Sequence, residues 1–394
     1  MKISFKITIV VFVLLISNLV FPQQTLTGYE IEEKVEVIMS KMILEEKIGQ
    51  MTQLSGALPE YELMIEDGNI GSLLNVYGAR ETNRLQKIAV GESRLGIPLI
   101  FGLDVIHGYR TIFPIPLGSA ASWDTALVRR AESIAAREAA SEGINWTFAP
   151  MVDIARDPRW GRIAEGAGED PFLGSAMARA QVLGFQGKSL ADPLTLLACG
   201  KHFVAYGGAE GGRDYNTVDV SERTLREIYL PPFKAAVNAG VGSIMSAFNE
   251  INGIPASANR FTLIDILRDE WGFNGFVVSD WNSIGELVKH GIASDKVGAG
   301  VKALKAGVDM DMEGRAYSDK LIKLVKEGKL SEELINESVR RILRIKYRLG
   351  LFDHPYTDES YAEDLILNDE HVKVALELSR ESIVLLKNKK GILP

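Results

Sequence analysis

Apolar runs of strand type alternate along the chain with amphipathic stretches of helical type. The strand-type runs lie at residues 70–76, 98–105, 144–153, 195–203, 242–248, 273–280 and 308–312. Helical patterns lie between them, at residues 125–142, 170–185, 221–239 and 262–271. Such alternation predicts parallel strands joined by right-handed crossovers. About eight units in roughly three hundred residues fit a (β/α)8 barrel of TIM type better than an open sheet, although the first or second strand is weak.

The ends of the barrel are indicated by capping and turn residues. Asp124 is a plausible N-cap for the helix that follows it, and a last barrel helix is predicted over residues 331–350. Residues 353–356 form a turn-like Asp-His-Pro-Tyr sequence, and an amphipathic stretch covers residues 370–388. We therefore expect the barrel at residues 28–352. Residues 353–394 are expected to be a linker and the opening of another, truncated domain.

The N-terminus is typical of a secretory signal peptide. Lys2 and Lys6 precede an apolar run at residues 7–16, and Pro22 follows a short polar stretch. This pattern predicts a signal peptide over residues 1–22, and hence an exported protein, either periplasmic or secreted, that is not attached to a membrane after cleavage. The apolar core is short for a membrane span, and a retained anchor is the alternative.

Composition narrows the class of partner. The chain of 394 residues has a formal net charge of -8 and no Lys/Arg-rich block, which argues against a nucleic acid as the main partner. Cys199 is the only cysteine, so the chain can form neither an internal disulfide nor a cysteine-based metal site. Its apolar neighbours predict a buried small hydrophobe. No other pattern suggests a metal or an organic cofactor.

The strongest chemical signal is Asp280, which ends the apolar run 276–278 and is followed by Trp281. A buried parallel strand that ends on a carboxylate delivers this group to the rim where α/β barrels bind substrates. An acid beside an aromatic ring also suits a sugar site, because the ring can stack on an apolar sugar face. The alternative is an Asp that caps the next helix, with Trp281 as a packing residue.

Other polar residues follow the ends of the neighbouring predicted strands. Asp104 could accept hydrogen bonds from two adjacent sugar hydroxyls, or it could pair with a structural arginine. Arg162 lies in a loop dense in arginine and acids and either reaches the pocket or only clamps the loop. Lys201 and His202 can face one ligand only where their strand ends or is bulged. Met245 either lines the site or belongs to the core.

Taken together, these segments resemble glycoside hydrolase family 3, the β-glucosidase family. The matching segments are 104, 156–162, 165–166, 168–171, 201–203, 221–226, 245–246 and 278–281, which occur in the order of the family from about residue 30 onward. The resemblance is to exported bacterial β-glucosidases of broad specificity. It implies β-glucosides or short β-gluco-oligosaccharides as substrates. It also implies a reaction that needs no cofactor or metal.

The resemblance also implies roles for single residues. Asp280 corresponds to the nucleophile of a retaining mechanism. The residues that resemble those holding the hydroxyls of the sugar are Asp104, Arg162, Lys201 and His202. Met245 lines the same subsite, and Trp281 stacks at its edge. A retaining mechanism needs a second carboxyl group as general acid/base, which in this branch is a Glu of a second, α/β-sandwich domain. We expect this Glu to lie outside the present chain.

The sequence departs from the family pattern at two positions. Ala167 replaces a bulky aromatic of many relatives, and Phe248 replaces a Tyr whose hydroxyl would lie near the nucleophile. The N-acetylglucosaminidase branch is disfavoured, because the loop that contains Asp214 lacks the histidine of that branch. Two alternative functions stay open. The chain could be a sugar-binding barrel without useful catalysis, or a β-xylosidase of the same family.

Overall fold

The computed structural model describes residues 26–391. The signal peptide predicted over residues 1–22 lies outside the described residues, as do residues 392–394. Within the described range, no helix has both the length and the apolar character needed to cross a bilayer.

Strands and helices alternate over most of the described range. The strands are β1 Thr52–Ser55, β2 Ser72–Leu74, β3 Ile100–Leu103, β4 Trp146–Thr147, β5 Cys199–Phe203, β6 Ser243–Ser246, β7 Glu250–Ile251, β8 Ile254–Pro255, β9 Phe276–Ser279 and β10 Asp311–Met312. The α-helices are α1 Gly28–Met39, α2 Leu44–Gln50, α3 Pro59–Glu66, α4 Ala79–Gly91, α5 Pro116–Ala121, α6 Thr125–Ser141, α7 Pro171–Gln186, α8 Glu222–Thr224, α9 Leu230–Asn238, α10 Ser283–Glu286, α11 Lys296–Ala306, α12 Asp319–Lys326, α13 Glu332–Arg348, α14 Tyr361–Leu365 and α15 Asp369–Glu381.

The parallel strands close into a barrel. One sheet has the order β10-β1-β2-β3-β4 and a second has the order β5-β6-β9, with parallel pairing throughout. Isolated parallel bridges join the two sheets at both seams, between Trp146 and Leu197, Met151 and Lys201, and Val278 and Met310. The predicted (β/α)8 barrel is therefore confirmed. The antiparallel pair β7–β8 is an insertion after β6.

Aromatic side chains fill part of the barrel interior. Trp146 contacts Phe148 and Phe276 edge to face, with ring centroids 4.7 and 5.0 Å apart. Its indole N–H donates to the Ser243 hydroxyl at 2.8 Å, so its buried polar atom is satisfied. Cys199 is buried in β5, as predicted.

Side-chain caps fix the starts of the two helices nearest to β4. The Asp124 carboxylate accepts hydrogen bonds from the backbone N–H groups of Ala126 and Leu127 at the start of α6, which confirms the predicted cap. Asp170 caps α7 in the same way through the N–H of Phe172. Both helices begin after the carboxyl-terminal ends of the preceding strands, and so they frame one rim of the barrel.

The helical pattern predicted at residues 221–239 is confirmed, but the segment is not α-helical throughout. A π-helical segment at Leu225–Tyr229 separates α8 from α9. Pro231 and Pro232 open α9, and neither can donate the backbone hydrogen bond that a continuous α-helix requires there. The helix predicted at residues 262–271 is present but is π-helical over Phe261–Glu270.

Two strand predictions also need correction. The first barrel strand is β1 at residues 52–55, which the apolar pattern did not indicate. The strand predicted at residues 144–153 is regular only in β4 and continues as the irregular extension that bridges Met151 to Lys201.

The segment after residue 352 packs on the outside of the barrel. Helix α15 buries Val374 and Leu378 in a cluster with Leu127 and Val128 of α6. This helix ends at Glu381, before the predicted limit at residue 388. The assignment of residues 353–394 to a linker and the start of a second domain stays a prediction.

Candidate active site

Asp280 lies directly after β9 at the carboxyl-terminal rim of the barrel. Its side chain is 12% exposed, and its Oδ1 atom accepts a hydrogen bond from the backbone N–H of Trp281 at 2.7 Å. Its Oδ2 atom is buried and has no hydrogen-bond partner within residues 26–391. Burial raises the pKa of Asp280 to about 6, although the Trp281 N–H, Lys201 and Arg162 act to lower it. The carboxylate therefore has one oxygen left for chemistry.

Lys201 and His202 of β5 both contribute to the surroundings of this carboxylate. The register between β5 and β6 is irregular between Gly200 and Phe203, which allows adjacent side chains to serve one site. The Lys201 ammonium donates to Asp104 Oδ1 at 2.6 Å. His202 Nε2 lies 3.5 Å from Asp280 Oδ2. The sequence analysis required an ended or bulged strand for Lys201 and His202 to face one ligand, and β5 is irregular at this point.

Asp104 lies at the mouth of the site. It follows β3, and its side chain is 55% exposed, whereas that of its partner Lys201 is 5% exposed. The ion-pair partner of Asp104 is Lys201 rather than the structural arginine that the sequence left as an alternative. An exposed carboxylate held by a buried ammonium can accept further hydrogen bonds from a ligand.

Arg162 is held both as a clamp and as a member of the site. Its guanidinium makes a bidentate pair with Glu165, at 2.6 and 2.9 Å. The same Nη2 atom lies 3.1 Å from His202 Nε2, and the guanidinium lies over the ring of Tyr206, 5.4 Å from the ring centroid. Sequence reasoning left these two roles as alternatives, and the geometry combines them.

Asp153 was missed as a site residue, although the sequence contained a signal for it. It ends the predicted strand 144–153, as Asp280 ends the strand 273–280, and Asp104 lies one residue before the end of the strand 98–105. Asp153 Oδ2 accepts a hydrogen bond from the His202 backbone N–H at 2.8 Å and lies 2.9 Å from His202 Nδ1. Burial raises the pKa of Asp153 to about 7.

Met245 and Trp281 occupy different environments. Met245 is buried in β6, where it is paired in register with Val278 of β9, and it belongs to the main hydrophobic core. Trp281 is 47% exposed and adjoins Asp280 at the rim. Trp281 is therefore available for stacking, whereas Met245 is a wall or core residue.

Further aromatic rings complete the surroundings, of which the sequence singled out Phe248 but not Tyr206 or Tyr215. The buried ring of Tyr206 lies edge to face on His202 with centroids 5.1 Å apart. Phe248 contacts the half-exposed Tyr215, with centroids 4.5 Å apart, and lies 6.0 Å from Tyr206. Asp214 accepts a hydrogen bond from the indole N–H of Trp160 at 2.8 Å.

The arrangement suits a polar, uncharged ligand with several hydroxyl groups. It places the buried Asp280 carboxylate, which has a free oxygen, near the side-chain cations of Lys201 and Arg162, the exposed carboxylate of Asp104 and several aromatic rings. A carboxylate of this kind can act as a nucleophile towards an electrophilic carbon. Among the described residues, no group of three or more His, Cys, Asp or Glu side chains could hold a metal ion.

Comparisons with known proteins agree on a family. The model described as the glycosyl hydrolase family 3 N terminal domain matches residues 43–345. A protein of Salmonella typhimurium named periplasmic beta-glucosidase is 44% identical over 383 residues, which cover 95% of this chain and 50% of that protein. A protein of Formosa agariphila named beta-xylosidase is 38% identical over 378 residues, covering 93% of this chain and 49% of that protein.

Solved structures give the same result. A crystal structure of a beta-glucosidase from Listeria innocua superposes with a TM-score of 0.88 at 43% identity, covering 92% of this chain and 53% of that one. The same enzyme has been solved with glucose and, as a mutant, with laminaribiose. The chain spans about half the length of the curated relatives it matches.

Proposed function

The chain belongs to glycosyl hydrolase family 3, and we propose that it is the barrel of a retaining β-glucosidase in which Asp280 is the nucleophile. The observation that carries the proposal is the position of Asp280. It is a rim carboxylate whose Oδ2 atom is buried and lacks a hydrogen-bond partner within residues 26–391. The neighbouring groups that lower its pKa, Lys201 and Arg162, favour the ionised form that attacks carbon.

The proposed reaction has two steps. In the first step Asp280 Oδ2 forms a bond to the anomeric carbon while the bond from this carbon to the leaving oxygen breaks, which gives a glycosyl ester. In the second step water attacks the same carbon and releases the Asp280 carboxylate. The leaving oxygen takes up a proton in the first step, and water loses one in the second. A general acid/base roughly 5–5.5 Å from the nucleophile serves both transfers.

We propose that this acid/base is a Glu of a second, α/β-sandwich domain, as the family resemblance implies. The matched relatives are about twice as long as the segments that this chain covers, which leaves room for such a domain in them. Residues 28–352 are then the barrel domain, and residues 353–394 are a linker and the beginning of the second domain. The name of the Salmonella typhimurium relative supports our proposal of export to the periplasm.

The other site residues are proposed to bind the sugar. Charged and imidazole groups hold the hydroxyls of the ring at the cleavage point, and Trp281 stacks on the ring or on the leaving group. The four hydroxyl-binding residues are Asp104, Arg162, Lys201 and His202. Met245 forms part of the wall. No cofactor enters this reaction.

One alternative has specific support, and a second stays open. A β-xylosidase would use the same chemistry, and the Formosa agariphila relative has that name. A sugar-binding barrel without turnover would keep the hydroxyl contacts and lack the acid/base. The β-xylosidase differs from a β-glucosidase in the glycoside that it hydrolyses. The binding barrel differs because it hydrolyses no glycoside.

The test compares aryl β-glucosides and β-xylosides with activated leaving groups, which need little protonation. We expect faster aryl release from the glucoside and none from Asp280→Asn. The matched control is Asp192→Asn, because Asp192 lies before β5 at the opposite end of the barrel, and an asparagine can still accept from the Leu194 N–H. Faster release from the xyloside would favour the β-xylosidase. Glucose binding without release would favour the binding barrel, and full activity of Asp280→Asn would refute the assignment.

A further inference from the structure

His202 is the contact point between Asp153 and the groups around Asp280. Its side chain is 1% exposed, and the side chain of Asp153 is completely buried. One oxygen of Asp153, Oδ2, accepts from the His202 backbone N–H and lies 2.9 Å from His202 Nδ1. The other oxygen has no hydrogen-bond partner among residues 26–391, although the backbone amide of Tyr206 is near enough to lower the pKa of Asp153.

The second ring nitrogen of His202 has a neighbour that can only donate. Arg162 Nη2 lies 3.1 Å from His202 Nε2, and a guanidinium carries no acceptor. Nε2 must therefore be the acceptor, and the ring proton resides on Nδ1, where it is donated to Asp153. Burial, together with the nearby charges of Arg162 and Lys201, lowers the pKa of His202 well below its usual range, which agrees with a neutral ring.

We propose that Asp153 is a positioning residue that holds His202 in the Nδ1–H tautomer, so that Nε2 accepts from Arg162 and presents no N–H to Asp280. This inference rests on the proposed function, in which Asp280 is the nucleophile. His202 Nε2 and Asp280 Oδ2 are 3.5 Å apart, and in this tautomer neither carries a proton. Because the one lone pair of Nε2 accepts from Arg162, His202 holds this guanidinium beside the nucleophile and leaves Asp280 Oδ2 without a competing donor. The opposite tautomer would donate to the nucleophile and reduce its reactivity.

The chain offers an informative variant because both contacts converge on Oδ2. In Asp153→Asn the amide oxygen can replace this atom and accept from both N–H groups of His202. The reversed amide is disfavoured, because its NH2 group would face the backbone N–H of His202. Asp153→Asn therefore removes the charge but keeps the tautomer, whereas Asp153→Ala removes the acceptor altogether.

The tautomer is measured directly by NMR on the whole chain labelled with ¹⁵N-histidine. The sequence has five histidines, and the spectrum of His202→Gln identifies the signal of His202. We expect the Nδ1–H form in the wild type and in Asp153→Asn, and a mixture or the Nε2–H form in Asp153→Ala. An Nε2–H ring or an imidazolium in the wild type at neutral pH would overturn the proposal.

Reaction with an activated 2-deoxy-2-fluoro-β-glucoside supplies the second readout. Relative to wild type, we expect the second-order rate to fall about 10- to 100-fold in Asp153→Ala, and by no more than about threefold in Asp153→Asn. An equal loss in both folded variants would overturn the tautomer argument, because the charge would then be what matters. If Asp153→Ala does not fold, the tautomer of His202 in the wild type and the reaction rate of Asp153→Asn still test the proposal. If the wild type has the expected tautomer but does not react, the proposed function is contradicted and the tautomer proposal is not.

Discussion

Lowering the pH is expected to slow the reaction of the barrel with dinitrophenyl 2-deoxy-2-fluoro-β-glucoside. In the proposed mechanism only the ionised Asp280 attacks carbon, and the dinitrophenolate leaving group needs no acid. The rate of this single step therefore reports the ionisation of the nucleophile. The reaction can be followed as a burst of dinitrophenolate absorbance on the chain as it stands.

The structure gives the expected size of the effect. Burial raises the pKa of Asp280 to about 6. With that pKa the ionised fraction is about 0.9 at pH 7 and about 0.1 at pH 5, a fall of about tenfold in rate. A carboxyl with its ordinary value of 3.8 would lose less than about a tenth of its rate over the same range.

The charged groups that face Asp280 define the controls. Lys201 and Arg162 lower its pKa and Asp104 raises it, so Lys201→Met should move the midpoint to higher pH. Asp153 also titrates near neutrality, since burial raises its pKa to about 7, and Asp153→Asn removes this contribution. Circular dichroism at each pH checks that the barrel stays folded. A flat rate between about pH 7 and about pH 5 would refute the reasoning on burial.

Three further predictions concern buried charges. Burial raises the pKa of Glu132 from 4.5 to about 8, so the folded protein loses stability as the pH rises from 4.5 to about 8 and the buried carboxyl ionises. Glu132→Gln cannot ionise and should raise the melting temperature relative to wild type, increasingly so towards about pH 8. Glu138, on the same helix, accepts hydrogen bonds at both oxygens, from the loop after β3 and from His371, so Glu138→Gln should lower the free energy of unfolding in urea by about 2–4 kcal/mol. Opposite signs for these two variants are required, and shifts in the same direction would contradict the account. Lys201→Met removes the ammonium that pairs with Asp104 and should weaken glucose binding about 10- to 100-fold by calorimetry, whereas unchanged affinity would remove Lys201 from the sugar site.

The sequence predicted the strands that form apolar runs, and an acid at or near the end of such a run was the signal for a site residue. Asp104 and Asp280 were found because each follows a run of buried residues. Asp153 has the same signal, because it ends the predicted strand 144–153, but it was passed over; in the structure that strand is regular only in β4 and continues as an irregular extension. Its contact with His202 depends on the pairing of that extension with β5, which no local pattern encodes.

Strand β1 was missed for a different physical reason. Thr52 and Gln53 are polar, and the Gln53 side chain lies inside the barrel, where its amide donates to the Ser72 hydroxyl at 2.8 Å. A polar pair inside the barrel replaces the apolar run that strand prediction requires. The site aromatics Tyr206 and Tyr215 lie in a glycine-rich loop without periodicity, and so only the tertiary structure brings them to Phe248.

The central claim is that Asp280 is the nucleophile, and mass mapping after reaction with the 2-deoxy-2-fluoro-β-glucoside tests it most directly. We predict one labelled peptide, carrying the fluoroglucosyl group on Asp280, and no label in Asp280→Asn. Label on any other carboxylate, or equal labelling of Asp280→Asn, would contradict the account.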